Sequence, residues 1–315
     1  MVKKKGKSSN NKGGMDIKKI LMGVIAIVIA IAFAAYENKT SVAEEENFQT
    51  EQLTSVSTPE KKQLKNKTSD VTLENIQYEL EAHPVLIEKR AEQLISHKAY
   101  HVSYNKDFKV PNWVFYELTQ EEINGRLQRS DNFQADPAIK YEEASHLEDY
   151  RHTGWDRGHM APSMDMNWDP EILDESYLLS NMCPQGHDFN AGIWLDLEHE
   201  VRYWAKRDSA VCVVCGPILP KNKNEKYRTL PQSKVIIPEA FFKIVFAPFA
   251  KNGPRAIAFV MPNEQRNETL GSFAVTIDSV EALTGIDFFP ILPDDIEDAV
   301  ESSVNVRDWL RKKDI

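Results

Sequence analysis

Cysteine is scarce in this chain. Three occur among 315 residues, at Cys183, Cys212 and Cys215, which excludes a disulfide-dense scaffold. Positive charge is scarce outside the N-terminal segment. Residues 1–35 hold seven lysines and one aspartate, a net of +6, while the overall charge is −10, so the remainder carries −16. An acidic body of this kind argues against broad electrostatic capture of a polyanion and leaves room only for a local basic groove. Internal repeats are absent, and so is the regular strand–helix alternation of a doubly wound sheet. What is present suits a folded chain with a substantial core: 42% hydrophobic and 27% charged residues exclude full disorder.

The apolar run Ile20–Ala35 follows lysines at 3, 4, 5, 7, 12, 18 and 19. It is shorter than the roughly 17–25 residues a bilayer span needs, and Tyr36 extends it into an interface. A basic start, an apolar middle and the small residues Ala32, Ala34 and Ala35 also describe a cleaved signal peptide. Anchor and signal both stand, with a buried helix and an organelle-targeting segment as lesser readings. The expected organisation is a basic segment at 1–19, an anchor or signal core at 20–36, a flexible linker at 37–73 and a folded domain at 74–315. The expected location is membrane-anchored with the domain outside the cytoplasm, or secreted or periplasmic if the segment is cleaved. Residues 37–73 are rich in Glu, Lys, Gln, Ser and Thr, with sparse, unpatterned apolar residues, a composition that cannot offset the entropy of ordering.

Within the domain, Leu80, Val85, Leu86 and Leu94 suggest a helical opening. Residues 98–118 read as two strands around a turn at Asn105-Lys106-Asp107, and 120–150 as long surface loops. A short helix is expected near 171–180. Phe189, Ile193, Leu197, Val201 and Trp204 recur at helical spacing, so a helix is expected over 189–206 with Asp188 at its cap. Strands are expected at 210–215, 234–237, 241–248, 256–260 and 273–277. The mixture argues for an α+β fold around a mainly antiparallel sheet.

The chemistry concentrates in Asp156-Arg157-Gly158-His159. An imidazole takes up a proton near neutral pH, which makes His159 the natural base. A guanidinium matches phosphate oxygens, which suits Arg157. The bland alternatives are a packed histidine, an Asp156–Arg157 ion pair and glycines serving turns. A second cluster holds Asn181-Met182-Cys183-Pro184-Gln185, then Asn190 and Glu198. On one continuous helix, Asn190 and Glu198 would lie about 12 Å apart along the axis, too far to ligate one ion together. An amide oxygen plus waters is hard-ligand chemistry suited to Mg²⁺. The Cys212-x-x-Cys215 spacing falls in an apolar strand and is read as buried packing on opposite faces. His187 and His199 are read as surface residues, Trp194 and Trp204 as core, and the acidic group Asp294, Asp295, Glu297, Asp298 and Glu301 as solvent-facing, with repulsion of competing polyanions or cation binding as alternatives.

These segments carry a resemblance. Asp156-Arg157-Gly158-His159 with Ala161-Pro162, Ser180-Asn181-Met182-Cys183-Pro184-Gln185, then Asn190, Trp194 and Glu198 resemble the non-specific DNA/RNA endonuclease family. That family has a ββα-metal, or His-Me finger, active site. The likeness extends over roughly residues 98–300 through Tyr104, Pro111-Asn112-Trp113, Phe241-Phe242-Lys243 and Phe259–Asn263. It implies His159 as general base, Asn190 as the direct protein ligand of the metal, Glu198 as the acid that holds water on the ion, and Arg157 as a phosphate-binding group. A second phosphate-binding arginine is expected upstream, with Arg129 as candidate and Arg126 as rival. Asn181 supports the site, and Asp156 orients a neighbour. The resemblance further implies Mg²⁺ (with Mn²⁺ or another divalent ion as alternatives), DNA and RNA as substrates, 5′-phosphate products and a homodimer. Two rival readings are a non-catalytic nucleic-acid-binding module on the same fold and a phosphodiesterase for small or lipid substrates.

Overall fold

Alternating apolar residues on successive strands build the centre of the molecule. In the computed structural model, residues 84–315 are described apart from 222–224, 232, 291, 293, 313 and 315. The chain order begins with β1 (Val85–Leu86), β2 (Gln93–Ser96), β3 (Tyr100–Asn105) and β4 (Val110–Thr119), then α1 (Leu147–Tyr150), β5 (Asp156–His159), α2 (Pro170–Glu175) and β6 (Met182–Gln185). It continues with α3 (His187–Asn190), α4 (Ile193–Asp208), β7 (Ala210–Pro217), β8 (Arg228–Thr229), β9 (Ile236–Ile237), β10 (Ala240–Ala247) and β11 (Arg255–Pro262). It ends with β12 (Ala274–Val275), α5 (Ile277–Thr284), β13 (Ile286–Asp287), α6 (Asp294–Glu301) and α7 (Val306–Trp309). His83–Ile315 forms one compact unit.

Seven strands form the main sheet in the order β12-β11-β10-β7-β4-β3-β2, and each neighbouring pair is antiparallel. The sheet is buried on both faces. On β10, Phe241 and Val245 join the larger core under the helices and loops of residues 120–208, while Phe242, Ile244 and Phe246 join a second core with Val280 of α5 and Val300 of α6. Period-two alternation therefore decides which core each side chain enters. Cys215 and Cys212 divide in the same way between the two faces, and all three cysteines are free thiols. Burial pushes the Cys183 and Cys215 thiols up, Cys215 to about 11, so they behave as apolar fillers.

Several local expectations are corrected. The helical opening is replaced by β1 and β2. Leu94 is exposed and Ile95 buried on β2, the edge strand whose register on β3 pairs Ile95 with Val102. Tertiary pairing overrides the local spacing there. The single helix at 189–206 is two helices. α3 starts after Gly186, not after an Asp188 cap, and α4 starts after Gly192. A Cβ at Gly192 would lie 2.3 Å from the carbonyl oxygen of Asp188, so glycine permits the sharp break between the two. The strand expected at 273–277 is only Ala274–Val275, because Thr276 Oγ1 accepts from Ser279 N at 3.2 Å and caps α5.

The region 120–150 is pinned rather than purely superficial. Asp136, 2% exposed, accepts from His97 Nε2 at 3.0 Å, Ser180 Oγ at 2.5 Å and Ala138 N at 2.8 Å. Burial alone would raise this carboxyl, but those hydrogen bonds outweigh it and hold the pKa below the usual value.

The membrane-anchored location is also corrected. Among the described residues no helix is long and apolar enough to cross a membrane. The segments 1–19, 20–36 and 37–73, on which that reading and the linker rested, lie outside the described residues.

Candidate nuclease active site

β5 and β6 pair antiparallel, with Arg157 opposite Pro184, Gly158 opposite Cys183 and His159 opposite Met182. Gly158 is required by this approach. A Cβ there would meet Gln185 Oε1 at 1.9 Å and Cδ at 2.1 Å, distances no side chain tolerates. Asn181 ties the two strands together behind the site. Its Oδ1 accepts from Ala161 N at 2.9 Å, and its Nδ2 donates to Ala161 O at 2.9 Å and Ser176 O at 2.8 Å. Completely buried and fully bonded, Asn181 fixes the backbone immediately after His159.

α3 follows β6 and completes a ββα unit. Asp156 Oδ2 accepts from Asn190 Nδ2 at 3.0 Å and lies 2.9 Å from His187 Nδ1. Asp156 thus orients the Asn190 amide, and with the NH₂ committed, Oδ1 is the atom left to act as a ligand. His187, read from the sequence as a surface residue, is exposed but belongs to this support. His199 is exposed as expected.

A cavity of about 350 Å³ is lined by Arg129, Asp131, Phe133, Leu147, Asp156, Arg157 and Asn190. The structure therefore brings Arg129, Arg157, Asp156 and Asn190 together. Arg126 is exposed and outside this lining. Arg129 is held by Asp131 Oδ1 through Nε at 3.4 Å and Nη2 at 3.2 Å. Arg157 lies 4.2 Å over the Phe133 ring, and Phe133 meets the His159 ring at a tilt, 5.7 Å between centroids, and the Tyr177 ring edge-on at 5.0 Å. Residues 36–315 carry −16, yet two arginines converge here; Asp131 and Asp156 in the same lining match them in number, so the positive charge offered to a polyanion is confined to the two guanidinium groups.

His159 is 8% exposed and sits behind Phe133, edge-on to Tyr177 at 5.1 Å. Its Nε2 is buried without a hydrogen-bond partner. Burial first, then the Arg129 and Arg157 charges, drive its pKa down to about 3, so the ring is a neutral acceptor at pH 7. His159 does not itself line the cavity; it lies behind Phe133 within electrostatic reach of Arg129 and Arg157. The amide oxygen of Asn190 and the arginine pair that do line it are donor types that suit a hydrated divalent ion and a phosphate group.

A profile of the DNA/RNA non-specific endonuclease family matches residues 83–295. The chain belongs to this family. Among similar proteins, the yeast (Saccharomyces cerevisiae) mitochondrial nuclease is 34% identical over 226 residues, covering 66% of this chain and 69% of the yeast protein. Human mitochondrial nuclease EXOG is 33% identical over 203 residues, 61% of this chain and 55% of its own length. The chain thus spans just over half of that relative. A crystal structure of an EndoG/EndoGI complex aligns with a TM-score of 0.60 and 34% identity, covering 64% of this chain and 87% of that one. The ββα unit on an antiparallel sheet is the architecture this endonuclease family shares, and the family comprises sugar-non-specific, metal-dependent enzymes.

One part of this endonuclease site escaped the sequence reading. Asp165, completely buried, accepts from Tyr116 Oη at 3.0 Å and Arg202 Nη1 at 2.9 Å. Lys243 is also completely buried on the same face of β10, its ammonium 4.3 Å from the Trp194 ring centroid and without a hydrogen-bond partner. Glu198 stands among these groups, 9% exposed, one helical turn before Arg202. Burial drives the Glu198 carboxyl up to about 7, with Lys243 pulling it down and Asp165 pushing it up. Glu198 does not line the cavity. The sequence signals for the network were the Glu198–Arg202 spacing of four on a helix and the Phe241-Phe242-Lys243 segment of the family likeness, to which no role was attached. Asp165 carried none.

Proposed function

We propose that this protein is a Mg²⁺-dependent endonuclease that hydrolyses phosphodiester bonds in DNA and RNA and leaves 5′-phosphate ends, with its catalytic unit in His83–Ile315. The observation that carries this reading is the buried, neutral His159 with a free Nε2 behind a cavity lined by Arg129, Arg157 and the Asn190 amide.

In this mechanism Arg129 and Arg157 grip the scissile phosphate through its non-bridging oxygens. His159 Nε2 takes a proton from the attacking water, and the depressed pKa keeps it unprotonated across the physiological range. Asn190 Oδ1, oriented by Asp156, would hold the ion, and Glu198 would act on it through water. When bound, Mg²⁺ supplies Lewis-acid stabilisation of charge on the phosphate and leaving oxygens. Contacts of this kind read the backbone, so weak base preference and indifference to the 2′ position follow.

Conversion of supercoiled plasmid and of single-stranded RNA, followed in Mg²⁺ for the parent, His159→Ala and Asn190→Ala, tests the proposal. Loss of about 10²–10⁴-fold in rate is expected for His159→Ala. Parental cleavage surviving either change, or nucleic-acid binding without any cleavage, would defeat it.

A further inference from the structure

On the opposite face of the sheet from the catalytic cavity, α5 and α6 bring a second group of carboxylates together. One ligand-type oxygen from each of Asp278, Glu281 and Glu301 lies within 4.8 Å of the others. Asp278 and Glu281 stand three residues apart on α5, so they share a face. Glu301 closes the group from the last turn of α6.

Acidic clusters on protein surfaces are usually solvated, but Glu301 is not. It is 6% exposed, and its Oε1 is buried without a hydrogen-bond partner. Asp287, on β13 next to α5, has a second such oxygen in Oδ1. Glu281 accepts one hydrogen bond, from Phe288 N at 3.0 Å. Among the described residues, the charges that raise Glu301 are those of Glu281, Glu297, Asp278 and Asp287. The Lys221 ammonium, which reaches α5, is bonded to the Ala282 carbonyl at 3.0 Å and to Glu88 at 3.2 Å. A buried carboxylate without a donor, surrounded by like charge, is strongly unfavourable unless a proton or a cation compensates it. Burial and those neighbours together push Glu301 up to about 8.

We propose that Asp278, Glu281 and Glu301 form a Ca²⁺ site that clamps α6 to α5, separate from the catalytic centre. Three carboxylates on two helices suit Ca²⁺, which takes six to eight oxygens in flexible geometry. Mg²⁺ favours near-octahedral sites with one or two carboxylates and retained waters. Water would complete the shell. The role is structural: Val280 and Val300, on the same two helices, pack in the second core, and the ion would hold α6 on that core.

The test is calcium binding by isothermal titration and thermal unfolding on the full chain carrying Asn190→Ala, which removes the ligand proposed for the catalytic ion. One Ca²⁺ per chain is expected, with a Kd of about 10⁻⁴–10⁻³ M, and saturation is expected to raise Tm by about 5 °C. Adding Asp278→Asn or Glu301→Gln should weaken binding at least about tenfold and remove the shift. Asp278 is exposed, so its variant keeps the test decisive if Glu301→Gln fails to fold. Asp278→Asn with Asn190 intact is expected to cleave plasmid in Mg²⁺ at the parental rate, which separates this site from the catalytic proposal. Absence of stoichiometric binding at about 10 mM Ca²⁺, or undiminished binding in both variants, would overturn the site. So would a Glu301→Gln protein that is stabilised without calcium while its parent binds none, because a shared proton would then be the whole explanation.

Discussion

Glu198→Gln should make the protein more stable at alkaline pH while it destroys catalysis. The carboxyl is 9% exposed and its pKa is driven from 4.5 up to about 7, by burial first. A carboxyl with a raised folded-state pKa binds its proton more tightly when folded. Its contribution to stability is therefore complete below pH 4.5 and is lost as pH rises through about 7. Each pKa unit corresponds to about 1.4 kcal/mol, so keeping Glu198 ionised costs the fold roughly 3 kcal/mol by pH 8. Glutamine has nearly the shape of the protonated acid and never ionises. The variant should exceed the parent by roughly 3 kcal/mol at pH 8, or about 6–12 °C in Tm, and by less than about 1 kcal/mol at pH 5. Differential scanning calorimetry at both pH values, in chelator, reads this directly. Plasmid cleavage should fall by about 10²-fold or more, the scale of a lost proton-handling group. A variant no more stable than the parent at pH 8 would refute the argument, because Glu198 would then be ionising without opposition from its surroundings.

Lys243→Met removes a buried cation that lowers the Glu198 pKa. The acid limb of the rate–pH profile should move to higher pH, with about tenfold lower kcat at pH 7 and recovery near pH 9; an unmoved limb would show that Lys243 only fills space. Gly158→Ala forces a Cβ into the side chain of Gln185. A loss of about 1–3 kcal/mol in denaturant unfolding is expected, together with loss of cleavage, and Gln185→Ala in the same chain should restore part of both. Parental stability of Gly158→Ala would mean that β5 and β6 are not held as close as described.

Much of the site was legible because it is local in sequence. Asp156 to His159 occupy one four-residue strand, and Asn181 to Asn190 one short stretch, so a linear reading met them as motifs. The two strands around residues 105–110 and the apolar strand at 210–217 were legible for a similar reason, since period-two alternation and a turn leave their mark on neighbouring residues. Of the helical opening, Leu80 lies outside the described residues; at Val85, Leu86 and Leu94 the reading misled because a short edge strand takes its structure from its partner, and that partner is not written in its own spacing. The long helix at 189–206 misled because its apolar period continues across a glycine break.

By itself, the sequence determined the chemistry on offer: an imidazole, two arginines, an amide and a carboxylate within a recognisable family pattern, on a chain too acidic to bind nucleic acid by bulk charge. Only the tertiary structure decided that Arg129 rather than Arg126 lines the cavity, that Phe133 contacts both Arg157 and His159, and that burial, then Lys243 and Asp165, set the charge state of Glu198. The reason is physical. Side-chain identity is fixed residue by residue, whereas burial and electrostatic coupling depend on distances between segments that meet only when the sheet assembles.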